Sequence, residues 1–460
     1  MNLHKFTNLI RSRKNLAVGL GLTLVIFAGA ARLPGISQKH KSLHAQTSQI
    51  MTNNSQPIKP ITIETTDKNG NPKTNLAISP DFQILALGSP DNTIQIRDTS
   101  TNKLIKTLSG HQGLVNLVQW STDGKTLASA SRDKTIKLWN VSTGQQIATI
   151  SGYSGKAADL AWVWSRDSKT IAMLLSSRFA NANLDNTIKL WDGKTGKLIK
   201  TLTGNKSKIS TMSWNPHAQA LAVWSQDGKI QLWNTNTGNL LQTLAEPGNS
   251  SYRVSWSHDG KAIALSPVSS SNTIKIWDAT TGKLLQTLDH KFTSSVMSLT
   301  GFEWSPDSKK IASTSVTGTF IWDVSTGKKL QEFPGLYVAS AVWSPDGKSI
   351  AMGGQEQNIK IWDVTTGKLL KTLYGHDSSV SNFDWSEDGK ILFSVGMDST
   401  IKIWDVATGK LLQTLFGHSG GIFSVSWNPK TNTLVTWGRE IPIQISSINL
   451  WKIDLNNLVG

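Results

Sequence analysis

From about residue 74 onward, apolar and polar residues alternate in short runs, the period-two pattern of β-strands. In the segment 401–405 (IKIWD), Ile401 and Ile403 fall on one face and Lys402 and Trp404 on the other. Both faces carry bulk, which suits a sheet covered on both sides rather than one facing water. Turn signals separate the runs: Pro345, Asp346 and Gly347 in one place, Thr366 and Gly367 in another, with glycine where a positive φ is needed. Residues 380–418 (VSNFDWSEDGKILFSVGMDSTIKIWDVATGKLLQTLFGH) show one complete unit of four strands.

The unit recurs with a period of about 42 residues. The tryptophan that ends the third strand falls at 139, 191, 233, 277, 322, 362, 404 and 451, and Arg97 holds that place in the first unit. The residue ending the first strand gives the same count of nine: Ile78, Trp120, Trp164, Trp214, Trp256, Trp304, Trp343, Trp385 and Trp427. A fourth strand follows units one to eight, as in 283–288 (KLLQTL), but only KIDLNNLVG follows Trp451. Residues 60–66 (PITIETT) have strand composition and are predicted to supply the missing strand, joining the two ends of the array. Such closure removes edge strands with unpaired backbone groups.

These residues resemble the WD-repeat β-propeller family, and the resemblance covers roughly 60–455. It implies an all-β fold: a closed propeller of four-stranded blades, nine of them because no linker interrupts the array. It also implies a hydrogen-bonded tetrad that ties strands together, carried whole by His111, Ser129, Asp133 and Trp139 and again by His376, Ser394, Asp398 and Trp404. Other units depart from the motif. Tyr153 and Asn205 replace the histidine, Arg97 replaces the tryptophan, and Glu440 stands for the aspartate in the last unit, where His418 is kept.

Ahead of the array lies a different kind of sequence. Four basic residues precede an apolar run at 16–31 (LAVGLGLTLVIFAGAA), ended by Arg32 and Pro34. As a helix this run spans ~24 Å, short of the ~30 Å hydrocarbon core. It reads as a signal peptide with a small-x-small cleavage site at Ala28, Gly29 and Ala30, or as an uncleaved anchor flanked by snorkelling basic side chains. Either reading leaves the N-terminus inside and carries the rest of the chain across the membrane. The organisation expected is therefore 1–33 as signal or anchor helix, 34–58 as a polar tether, and 59–457 as the propeller, in the cell envelope or secreted, as a monomer.

Composition narrows the chemistry. The net charge is +16, but residues 1–60 hold eight basic side chains and no acid, leaving 39 basic against 31 acidic residues elsewhere. That diluted excess argues against nucleic acid. Zero cysteine excludes disulfides, thiolate metal sites and a cysteine nucleophile. The nine histidines are scattered, and no HExxH-like spacing, G-x-S-x-G or phosphate loop is present, so no cofactor, metal or catalytic residue is expected.

Loop lengths divide the ring into two unlike rims. From the third-strand Trp-equivalent to the apolar end of the fourth strand is 11 positions in all eight cases, and the first-to-second turn is equally fixed. Variation gathers on the other rim, formed by second-to-third turns and blade-to-blade links. There the landmark spacing of 19 grows to 27 in unit three (SSRFANANLD) and 24 in unit nine (GREIPIQISS), and the link into unit six lengthens from 12 to 16. Binding residues favour loops on a rigid scaffold, so the expected partner contacts are Tyr153, Arg178, Phe179, His290, Lys291, Phe292, Arg439 and Glu440. Trp162, Trp224 and Trp437 exceed the repeat's requirement and fit core filling. The resemblance implies a noncatalytic protein-binding scaffold. Two alternatives stand beside it: binding of an anionic polymer through lysines such as Lys134, Lys189 and Lys275, and a propeller-borne hydrolase or lyase.

Overall fold

Each strand of the repeat is four to eight residues long, apart from the three-residue strand Leu76–Ile78, with the third strands richest in β-branched and aromatic side chains, and turns of local chemistry separate them. After Trp362, the Asp363 carboxylate accepts the N–H groups of Thr365 and Thr366 and the Thr366 hydroxyl, and Gly367 closes the turn at φ 71°. The strand register shifts between Ile361 and Trp362, a bulge that recurs at the same place in the third strands of blades 1 to 8. After Trp343, the Ser344 hydroxyl donates to Asp346 at 2.7 Å and accepts the Ser349 N–H at 2.9 Å, fixing the first-to-second turn.

The computed structural model describes residues 60–64, 76–151, 161–174, 187–205 and 207–458, the last with gaps at 208, 218, 226, 245–251, 268–271, 291–298, 336, 441–444 and 456. These residues form nine antiparallel sheets of four strands, each in chain order except the last. The last sheet takes its fourth strand from the opposite end of the chain: Ile61–Glu64 pairs with Ile445–Lys452, Ile61 opposite Leu450 and Glu64 opposite Ser447. The predicted hydrophobic helix at 16–31 and the tether lie outside the described residues. No helix among the described residues is long and apolar enough to cross a membrane.

Sheets pack face to face around the ring, with one apolar cluster at each seam. Ile401 and Ile403 of blade 8 pack with Trp427 and Trp451 of blade 9, while Trp404 turns the other way, to Ile359 and Leu373 of blade 7. The two faces read from the alternation thus serve two different neighbours. The final seam joins Leu76, Ile78, Phe82 and Leu85 of blade 1 to Val435, Ile448 and Leu450 of blade 9. Burial of such side chains at ~25 cal/mol per Å² is the main term holding the blades together.

Polar contacts stitch the innermost strands along the seams. The indole N–H that ends a first strand donates to a backbone carbonyl of the preceding blade: Trp120 to Ala77 at 3.0 Å, Trp214 to Val163 at 2.9 Å, Trp304 to Ser255 at 3.2 Å. At the other end of the strand the direction reverses. Arg253 donates to the Leu299 carbonyl of the next blade at 3.2 Å, and Thr300 to that of Val338 at 2.9 Å. Between blades 8 and 9, Asp384 accepts the Trp427 N–H at 2.8 Å and that of its neighbour Trp385 at 3.0 Å.

The structure departs from the sequence-based expectation in unit nine. Part of the insertion read there as a loop is strand: Gly438, Arg439 and Glu440 pair with Ser447, Ser446 and Ile445, making a hairpin of two eight-residue strands. Extended, β-branched sequence around Ile445 continues the ladder instead of leaving it.

Candidate functional site

Antiparallel order places first-to-second and third-to-fourth turns on one rim of the ring, and second-to-third turns with blade-to-blade links on the other. The first rim satisfies its own polar groups. Asp98, Asp192, Asp278, Asp323, Asp363 and Asp405 each accept the N–H and hydroxyl of a threonine three residues on. Hydrogen bonds in these turns, led by the Ser100 hydroxyl at Asp98 and the Ser325 hydroxyl at Asp323, hold the carboxyls below their ordinary range; burial opposes the effect throughout, most of all at Asp192 and Asp278, and is outweighed.

Beneath the second rim lie the histidine networks. His111 Nδ1 is 2.7 Å from Asp133 and its Nε2 is 2.8 Å from the Ser129 hydroxyl, which accepts the Trp139 indole N–H at 2.7 Å. The same arrangement recurs for His376, Asp398, Ser394 and Trp404, at 2.7, 2.8 and 2.8 Å. One assignment of protons satisfies every atom: indole N–H to serine, serine O–H to Nε2, Nδ1–H to an ionised aspartate. Burial pushes Asp133 and Asp398 up, but the bonds from Thr135, Gln112 and His111 in one case, and from His376, Asp377 and Thr400 in the other, prevail and hold both at about 2. Burial also pushes His111 down, keeping its imidazole neutral. The groups face inward and hold strands together.

Blade 9 builds the network from other residues. His418 Nδ1 is 2.9 Å from Glu440, its Nε2 is 2.9 Å from the Thr436 hydroxyl, and the Trp451 indole donates to Thr436 at 3.1 Å. Glu440 also accepts the Ser419 N–H and hydroxyl and the Ser447 hydroxyl. Its carboxylate, expected as a partner contact, is engaged within the blade.

His290, also expected as a partner contact, forms a fourth network that sequence reasoning missed. Its Nε2 is 2.6 Å from the Ser313 hydroxyl, which accepts the Trp322 indole N–H at 2.9 Å, and its Nδ1 meets the Asn272 carbonyl at 2.7 Å. A backbone carbonyl replaces the aspartate, and the ring packs edge-on against Trp322 and Phe320. Burial pushes His290 down to about 4. Two signals in the sequence mark it: a serine at the second-strand position of Ser129 and a third-strand tryptophan. In blades 3, 4 and 7 that position holds Met173, Val223 and Met352, and the indole N–H groups of Trp191, Trp233 and Trp362 have no hydrogen-bond partner.

Of the remaining expected contacts, Arg439 is exposed, its guanidinium 5.8 Å from the Phe423 ring. Tyr153, Arg178, Phe179, Lys291 and Phe292 lie outside the described residues. Trp162, Trp224 and Trp437 pack in the seams between blades 2 and 3, 4 and 5, and 9 and 1. Lys134, Lys189 and Lys275 sit on three different blades, the latter two partly buried in third strands. Among the described residues, no group of three or more His, Asp or Glu is placed to hold a metal.

Comparison with known families matches residues 102–140, 238–278, 282–323, 367–405 and 409–436 to the WD domain, G-beta repeat. Residues 163–251 and 306–377 match the anaphase-promoting complex subunit 4 WD40 domain. Among curated proteins, the chain is 39% identical over 49 residues to a general transcriptional corepressor of Saccharomyces cerevisiae and 43% identical over 135 residues to ribosome assembly protein 4 of Chaetomium thermophilum. It is 32% identical over 94 residues to a UBP9-binding protein of Schizosaccharomyces pombe. The alignments take in 11%, 28% and 20% of this chain and 7%, 25% and 17% of those relatives. The matched repeats fall on the blades themselves, and with the nine closed sheets and the histidine–hydroxyl–indole networks they show that the chain belongs to the WD-repeat β-propeller family.

Proposed function

We propose that this chain is a noncatalytic scaffold that presents its propeller outside the cytoplasm and holds a protein partner on the rim of second-to-third turns and blade-to-blade links. The observation that carries this reading is the asymmetry of the ring. One rim repeats a turn of fixed length whose aspartate, or asparagine in blades 2 and 4, caps its own backbone, so blades 1 to 8 offer nearly the same turn there. The other rim alone varies in length and side chain, as recognition loops on a rigid scaffold do. The relatives' names, a corepressor, an assembly factor and a binding protein, are those of proteins that work through partners. The histidine–carboxylate pairs do not favour catalysis, because they are buried in a recurring structural role.

The location follows from the basic residues and apolar run at 1–31. Capture of partners by the full chain, compared with a variant shortened across 176–185, tests the rim; equal recovery of every partner by both proteins rejects it. N-terminal sequencing of membrane and soluble fractions tests the location, and full-length protein found wholly in the cytosol rejects it.

A further inference from the structure

On the variable rim, blades 7 to 9 offer large apolar side chains to solvent. Tyr374, in the link into blade 8, is 73% exposed; Phe416, which ends the fourth strand of blade 8, is 70% exposed; and Met397, in the second-to-third turn of blade 8, is 42% exposed. The repeat does not require a large apolar residue after the fourth strand: the position equivalent to Tyr374 and Phe416 elsewhere holds Ser109, Ser151, Thr203, Ala245, Asp289 or Pro334. Met397 sits between the links that follow the other two. The Met397 N–H donates to the Ser379 carbonyl of the first link at 2.9 Å, and its Sδ lies 2.6 Å from where a Cβ on Gly421 of the second link would stand. Exposed apolar patches of this kind mark protein or membrane contact.

The path of the chain says which. The described chain starts at Pro60, whose Cγ lies 2.8 Å from where a Cβ on Gly417 would stand, one residue beyond Phe416. The leader therefore departs from the edge of this same arc. It carries the apolar run at 16–31, and the polar stretch between run and ring, 32–59, is 28 residues long; a flexible chain of that length spans roughly 30 Å. If the run remains in a bilayer, the arc is held within a few tens of ångströms of the surface, and a run shorter than the hydrocarbon core draws its flanks inward. Tyrosine and phenylalanine are side chains that settle at the headgroup level.

We propose that the arc of Tyr374, Met397 and Phe416 seats on a phospholipid bilayer surface, docking blades 8 and 9 against the membrane that holds residues 16–31. The seating rests on the uncleaved-anchor reading of that run. It leaves the rim of the blades across the ring, blade 3 among them, open to a protein partner.

The absence of cysteine makes the test direct. Full-length protein carrying Phe416→Cys is labelled with a polarity-sensitive fluorophore and reconstituted in phosphatidylcholine vesicles. Glu387→Cys, on the opposite rim of blade 8, is the reference. The label at 416 is expected to shift to the blue and to be quenched by lipid-borne quencher, while the label at 387 is not. In the triple variant Met397→Cys, Tyr374→Ser, Phe416→Ser, the label at 397 should lose the quenching it shows in Met397→Cys alone. Protein that floats with the vesicles but leaves the label at 416 in water overturns the seating and leaves the anchor standing. Protein that does not float overturns both. A label at 416 already shielded before vesicles are added, or shielded only when a protein is supplied, also overturns the seating, in favour of a chain segment, a second copy or a protein at the arc.

Discussion

The Thr431 hydroxyl of blade 9 donates to the Asp81 carbonyl of blade 1 at 3.1 Å, joining positions 350 residues apart. Lys452 reaches across the same seam to Gln83 at 3.4 Å. The strand Ile61–Glu64 pairs with the last third strand along its outer edge, and Ile61 packs against the apolar cluster of this same seam, so a four-residue segment from the start of the described chain supports the closure. Deleting residues 61–64 is expected to lower stability by a few kcal/mol, from ladder hydrogen bonds at ~0.5–1.5 kcal/mol each and the burial lost around Ile61. Thermal melting of the full chain against the deletion checks this, and an unchanged midpoint means that the ring closes without the strand.

The Ser394 hydroxyl serves two partners, accepting from Trp404 and donating to His376. Ser394→Ala leaves an indole N–H and an imidazole nitrogen buried without partners and is expected to cost about 2–6 kcal/mol, from ~1–3 kcal/mol for each orphaned group. Adding Trp404→Phe removes one of those orphans, so the double variant should lose less than the sum of the single losses. Denaturant unfolding of the four proteins checks the coupling, and strict additivity would show that the bonds do not act as a unit.

Blade 4 supplies the converse case. Val223 occupies the serine position, and the Trp233 indole N–H has no partner. Threonine is nearly isosteric with valine, and burying its hydroxyl ordinarily costs ~1–3 kcal/mol. Here that hydroxyl meets a waiting donor, so Val223→Thr is expected to fall within about 0.5 kcal/mol of the parent or to stabilise it. A loss of about 2 kcal/mol or more in urea unfolding would mean that the indole and the new hydroxyl do not meet.

What the sequence made legible is what repeats. Tryptophans recurring about every 42 residues give the number of blades, and the missing copy of a fourth strand after Trp451 points to residues 60–66 as its replacement. The networks of His111 and His376 were legible because every member keeps its place in the motif. His290 was not, because Asp289 rather than glycine precedes it and its lengthened link disguises the register; its partner is also a carbonyl, which no side-chain pattern announces. The seam contacts of Asp384 and Arg253 depend on the distance between adjacent sheets, which a linear pattern does not encode. Arg439 and Glu440 read as loop because turn length was inferred from spacing alone, whereas a hairpin can lengthen its strands and keep its turn short.

Acid should weaken the ring in two separable steps. Burial holds His290 at about 4 against ~6.5 in the unfolded chain, with the Asn272 carbonyl and the Asp289 charge offsetting only part of that shift. The unfolded chain therefore takes up the proton first: this stability is whole above about pH 6.5 and is lost as pH falls towards 4. Burial shifts His111 and His418 in the same direction, and they add to the same window. Asp133 and Asp398, held at about 2 against ~3.9 unfolded, contribute stability that is present above about pH 4 and lost as pH falls through 2. His290→Gln keeps a donor for the Asn272 carbonyl and an acceptor for Ser313 but does not titrate. Between pH 7 and 4.5 it should lose less stability than the parent, by on the order of 2 kcal/mol. Below pH 4 the two proteins should decline in parallel, since the aspartates are untouched. Urea unfolding at pH 7, 4.5 and 3 measures both windows, and identical losses in parent and variant between pH 7 and 4.5 would show that the folded ring does not keep the His290 imidazole neutral.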